Sequence, residues 1–248
     1  MTSDSLLELD ELKAYFGEPF HLNSKITLYS PTVGDIIEFG EQRYYSVVHS
    51  LTCIPSDMKS QLFDSGIDYE EISDFELFCM LTRGLTQEDT KLLLGDLDLS
   101  KFEVCINTQN GLKLLYDRQN DIKIDELIYY KIVSYLRKLH NIKPKVEKAK
   151  NKTTKKILIE LDRQRIEQKK KDKNITSTLK PLVSAMMRYP GFKYKSYELK
   201  QCSLYEFMDT VMGANVYVSS TALLKGIYGG MVDSSKVDKK QLDWMREI

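Results

Sequence analysis

DELIYYKIVSYLRKLHNI, residues 125–142, decides the fold class of this chain. Ile128, Ile132, Leu136 and Leu139 recur at three- and four-residue intervals, and Tyr129, Tyr130, Val133 and Tyr135 widen their stripe. Asp125 stands where a side-chain oxygen can accept the first free amide protons of a helix, and Pro144 stands where a helix cannot continue. The spacing therefore predicts a strongly amphipathic helix that needs a packed surface on one side.

Downstream the texture changes. Residues 143–173 hold thirteen Lys or Arg against five Asp or Glu, a local charge of +8 in a chain whose 36 basic and 36 acidic residues cancel. Ile157, Leu158, Leu161 and Ile166 sit in the first part of this run, and Lys169, Lys170, Lys171 and Lys173 end it as a basic patch. The pattern predicts a long, partly exposed helix spanning residues 143–175 and joining two domains. It lacks the interleaved aromatics that stack on bases, so a solvated connector is favoured over a nucleic-acid-binding arm. Beyond it, residues 176–248 are apolar again and predict a small helical domain from segments 178–190, 196–215, 219–232 and 239–248, with Ser196 and Ser219 or Ser220 as caps.

Upstream, FEVCI and LKLLY flank a polar turn at residues 107–111 that contains Asn-Gly, which predicts a β-hairpin over 102–116, with Ile122 and Ile124 able to add a third strand. Before that, Ser30 with Pro31, Pro55 with Ser56, Asp68 and Thr86 are expected helix starts, and Gly40, Gly66, Gly84 and Gly95 expected stops. Residues 3–16 place Leu6, Leu9, Leu12 and Phe16 on one helical face ahead of Gly17 and Pro19. The expected fold is thus mainly α: an α-rich domain over 1–142 with a small hairpin, the linker over 143–175, and the domain over 176–248.

Few function classes fit these residues. No run approaches the ~20 apolar residues of a membrane span, and the opening segment is acidic where a secretory signal is basic, so the expected site of action is the cytoplasm. Cys53, Cys79, Cys105 and Cys202 are too scattered for metal or redox pairing, and His21, His49 and His140 have no ligand partners at useful spacing. Asp64, Asp68, Glu70, Glu71, Asp74, Glu76, Asp96 and Asp98 form an acidic cluster, but their order matches no calcium loop, and helix N-termini account for most of them. Phosphate-loop and nucleophile-elbow motifs are missing. Neither a catalytic residue, a metal nor a cofactor is expected, and the chain reads as a binder of other proteins.

Five phrases add a resemblance. PTVGDIIEFGEQRYYSVV (31–48), GIDYEEISDFELFCMLTRGL (66–85), LLLGDLDLSKF (92–102), YPGFKYKSYELKQCSLYEFMDTV (189–211) and SSTALLKGIYGGMVDSSKVDKKQLDWMREI (219–248) are similar to those of proteins from the tail-morphogenesis modules of phages and prophages of Gram-positive bacteria. Within those modules the helical proteins free of enzymatic motifs resemble tail assembly chaperones. That resemblance implies a non-catalytic protein of the host cytoplasm that binds tape-measure or tail-tube protein during morphogenesis, with self-association also open. The expected contact residues are Leu6, Leu9 and Phe16 in the first helix, and Tyr205, Phe207, Met208, Met212, Tyr228 and Trp244 in the last domain. The rival readings are a structural virion subunit of tail, neck or baseplate, and a nucleic-acid-binding regulator acting through Lys169, Lys170, Lys171 and Lys173.

Overall fold

The computed structural model describes residues 11–107, 111–171 and 177–246, and the protein is mainly helical. Leu6, Leu9 and Lys173 lie outside the described residues. The helix α1 (Glu11–Tyr15) ends at Gly17, whose positive φ of 73° lets the Glu18 amide turn back to the Lys13 carbonyl. Two short antiparallel strands follow, β1 (Phe20–His21) and β2 (Thr27–Leu28), closed by the Asn23 side chain, which accepts from the amides of Lys25 and Ile26.

The next helices are α2 (Val33–Phe39), α3 (Glu41–Thr52), α4 (Lys59–Asp64), α5 (Asp74–Thr82) and α6 (Gln87–Leu94). Their starts correct two expectations. Thr32, not Ser30, caps α2, because Thr32 and Asp35 exchange bonds in a capping box. Asp68 starts only a turn, since Ser73 and Glu76 form the capping box that begins α5. Thr86 caps α6 as the sequence predicts.

The hairpin and its third strand form one antiparallel sheet in the order β3 (Glu103–Ile106), β4 (Lys113–Asp117), β5 (Ile122–Ile124). Asp125 then caps α7 (Glu126–Leu139), accepting from the Ile128 amide at 2.8 Å. The helix ends well before Pro144: Asn141 takes a left-handed φ of 50°, and the Ile142 amide turns back to the Arg137 carbonyl. Tyr129, Ile132, Val133, Tyr135, Leu136 and Leu139 are buried against α3, the β1–β2 pair and the sheet.

The C-terminal part comprises α8 (Lys152–Lys171), α9 (Leu179–Arg188), α10 (Ser196–Gln201) and α11 (Leu204–Tyr228). Ser219 and Ser220, expected as caps, lie inside α11, so the expected helix from 219 is continuous with the end of the expected 196–215 helix. The first turns of the latter form the separate α10, capped by Lys195 and not Ser196. The last expected helix is a 3-10 turn over Lys239–Leu242. The boundaries placed at residues 142 and 176 are crossed by a single apolar core, in which Leu179, Met186, Leu199, Leu204 and Phe207 join Val33, Ile36, Tyr44 and Leu136. Backbone bonds tie the two ends of the chain: the Val33 amide donates to Cys202 at 3.0 Å and the Leu204 amide to Pro31 at 2.8 Å. Gly34 makes this approach possible, because a Cβ there would fall 2.8 Å from the Lys200 carbonyl oxygen.

Candidate functional site

Two surfaces collect the residues singled out by the sequence. The first is α11. Ser203 begins it by accepting from the Glu206 amide while its hydroxyl donates to the Tyr15 carbonyl, which fixes the helix against α1. Leu204 and Phe207 enter the core, with Phe207 at 0% exposure, so Phe207 anchors the helix and presents nothing outward. Tyr205 packs edge-on to Tyr15, and Met208 lies half-buried against the same core. Half-buried Met212 accepts a bond from the Asn141 amide group at 3.0 Å. Tyr205, Phe207 and Met208 thus lie together at the start of α11, while Phe16 stays exposed with its ring edge-on to Tyr15.

The far half is different. No charged residue lies between Asp209 and Lys225, yet within α11 only Leu204, Phe207 and Ser220 are buried. The chain after Tyr228 folds back beside the helix: the Ser220 hydroxyl donates to the Gln241 carbonyl at 2.8 Å, Val232 covers Gly226, and Trp244 meets Tyr217 edge-on with centroids 5.8 Å apart. The Arg246 guanidinium closes this tail by donating to the carbonyls of Lys240, Gln241 and Asp243. Trp244 therefore docks on its own helix while staying exposed on its other side. Val218, Met245, Tyr228 (85% exposed) and Met231 (88%) are likewise open to solvent. The sequence reading missed Tyr217, Val218, Met231 and Met245; for Tyr217 and Val218 the signal was the uncharged run itself.

The second surface joins the acidic cluster to the basic run. Lys59, almost fully buried, donates to the Ser56 carbonyl and pairs with Glu147 at 2.9 Å, and the Glu147 amide donates to the Ser56 hydroxyl. Lys155 bonds both Asp68 and Glu70, and Arg163 pairs with Asp64. Ile159 enters a second apolar cluster with Cys53, Leu62, Tyr69 and Leu77, and Asp162 accepts from the amide and hydroxyl of Ser60. The Lys155 ammonium holds the carboxyls of Asp68 and Glu70 below their usual range, and Lys59 does the same for Glu147. Burial pushes the Asp162 carboxyl up, but its bonds to Ser60 and Arg165 outweigh this and keep it low. One side of α8 is therefore fastened to α4, while Lys169, Lys170 and Lys171 are exposed at its end.

Other titratable groups are held for structural reasons. Burial raises the thiols of Cys53 and Cys79 to about 12 and about 11, so neither is a thiolate near neutral pH. His140 bridges the Tyr44 hydroxyl at 2.7 Å and the Leu136 carbonyl at 2.6 Å, and burial lowers its pKa to about 4. Among the described residues no three His, Cys, Asp or Glu side chains converge as metal ligands, and no helix is long and apolar enough to cross a membrane. Comparison with known proteins finds no matching family model, no similar curated protein and no similar solved structure.

Proposed function

We propose that the chain is a phage tail assembly chaperone or adaptor that acts without catalysis in the host cytoplasm, binding tape-measure or tail-tube protein through the outer half of α11 and the tail folded on it. The observation that supports this reading is the uncovered apolar helix. A helix apolar on all sides is ordinarily enclosed, in a protein core or in a bilayer. Here Tyr217, Val218, Tyr228, Met231, Trp244 and Met245 face solvent instead. Aromatic residues supply much of the binding energy at interfaces, and methionine adapts its shape to a partner before the final assembly contact forms. The choice of tail proteins as partners rests on the resemblance of the five phrases.

The test is a pull-down of the tagged chain from phage-infected cells beside a blot of purified virions. Capture of tape-measure or tail-tube protein, absence from virions, and loss of capture in a Tyr228→Ser, Met231→Ser double variant are the expected results. Fixed stoichiometry in virions overturns the reading in favour of a structural subunit. Salt-sensitive recovery of nucleic acid in place of tail protein, lost when Lys169, Lys170 and Lys171 become Glu, overturns it in favour of a regulator.

A further inference from the structure

We infer that the free edge of β3 is a binding site for an extended peptide that carries apolar and basic residues in alternation, adding as a fourth strand to the sheet. This inference is independent of the role proposed for α11. Its first support is the hydrogen-bond ladder. The Asn107 amide donates to the Leu112 carbonyl at 2.8 Å, and the register pairs Cys105 with Leu114 and Glu103 with Tyr116. Antiparallel ladders alternate, so these are the bonded pairs, and the amides and carbonyls of Val104 and Ile106 point away from β4. Two donors and two acceptors are thus offered in a row.

The second support is what surrounds that edge. Val104 is 45% and Ile106 67% exposed, against the usual practice of guarding an edge with charge or cover. The opposite edge of the sheet is guarded: the Lys25 ammonium donates to the carbonyls of Asn120 and Asp121 beside β5. Next to β3 runs an open groove of about 510 Å³ between the sheet, α5 and the 66–72 turn, with Ile67, Ile72, Met80 and Val104 as its apolar lining. Every second side chain of an added strand would project beside Val104 and into this groove.

Charge selects the occupant. Asp68, Glu71 and Glu76 line the groove against a single cation, Lys113, which is already bonded to Glu76. Asp68 is taken by Lys155, whereas Glu71 is exposed on the groove wall. The side chains that enter the groove are the basic ones: a lysine lays its aliphatic stem along this apolar lining and brings its ammonium to the Glu71 carboxylate, an acidic side chain meets repulsion, and the apolar residues alternate to the opposite face. Main-chain bonds give affinity and the alternate pockets give selectivity, the combination on which strand addition depends.

The experiment measures fluorescence anisotropy of a labelled short peptide alternating valine and lysine, titrated with the full chain. Three comparisons decide it: the same peptide with glutamate for lysine, the same peptide N-methylated at alternate amides, and the chain carrying Val104→Pro. Proline is tolerated on an edge strand whose amide faces outward, so Val104→Pro removes a donor to the ligand and leaves the β3–β4 ladder intact. Each change weakens binding by about ten-fold or more, the scale of one or two lost ladder bonds or a reversed charge contact. Glu71→Lys, on an exposed side chain, reverses the preference between the lysine and glutamate peptides and serves if the proline variant fails to fold. Equal binding of the N-methylated peptide, or an unchanged preference in Glu71→Lys, overturns the proposal and leaves nonspecific attraction to an acidic surface.

Discussion

α7 and α11 are both rich in apolar residues, and they meet opposite fates. α7 buries six side chains in 14 residues, whereas α11 buries three in 25. The difference lies in arrangement. α7 concentrates its apolar residues on one side and leaves Glu126, Lys131 and Lys138 off the stripe, so a single packing event satisfies it. α11 distributes them around its circumference, and no single neighbour can cover them all. Apolar content thus sets how much a helix can gain by burial, and periodicity decides whether its own fold can supply that burial.

The largest effects that bear on this contrast come from truncating the anchors. Phe207→Ala should cost roughly 3–5 kcal/mol and Leu136→Ala roughly 2–5 kcal/mol in urea unfolding, while Val218→Ser, on the outer half of α11, should stay within about 0.5 kcal/mol. A Val218→Ser cost as large as that of Leu136→Ala would dissolve the contrast, because it would mean that α11 is packed along its length.

Acid should act on α7 next. The His140 pKa of about 4 lies below the unfolded value near 6.5, so the unfolded chain binds the extra proton between these limits. The stability contributed by neutral His140 is full above pH 6.5 and is lost as pH falls toward 4, by about 1.4 kcal/mol per pH unit. Unfolding followed from pH 6.5 to 5 should show a loss of about 2 kcal/mol that a His140→Gln variant lacks. An equal slope in both would place the acid sensitivity elsewhere than the α3–α7 contact.

The smallest expected effects are at the caps. Asp125→Ala and Ser203→Ala should each cost about 1 kcal/mol, with Ser203→Ala the larger because it also releases the Tyr15 carbonyl. Thermal melts of the two variants sharpen the contrast by separating helix initiation, which the two helices share, from burial, which they do not.

The same contrast marks how far the sequence could be read. Local chemistry was legible: the α7 stripe, the Asp125 and Thr86 caps, and the hairpin with its third strand all depend on residues a few positions apart. The sequence suggests a helix boundary within α11 because Ser219 and Ser220 look like caps. The helix instead runs on through Ser219 and Ser220, and the Ser220 hydroxyl, which a cap would turn to its own helix, donates to the Gln241 carbonyl of the tail. The β1–β2 pair escaped notice because two-residue strands leave no periodicity to detect. Of the candidate surfaces, both signs of charge were visible, but not that Lys155 and Arg163 reach Asp68 and Asp64. Those pairs join residues 87 and 99 positions apart, a separation that only the folded chain resolves.

The bond from Ser203 to the Tyr15 carbonyl joins residues 188 positions apart. During synthesis at about 5–20 residues per second, the partner of Tyr15 emerges roughly ten to forty seconds after Tyr15 itself. Through that interval Val33 and Ile36 await the α10–α11 side of their core. The chain thus spends the first part of its life on the ribosome with its central seam open, closing it only when α10 and α11 arrive.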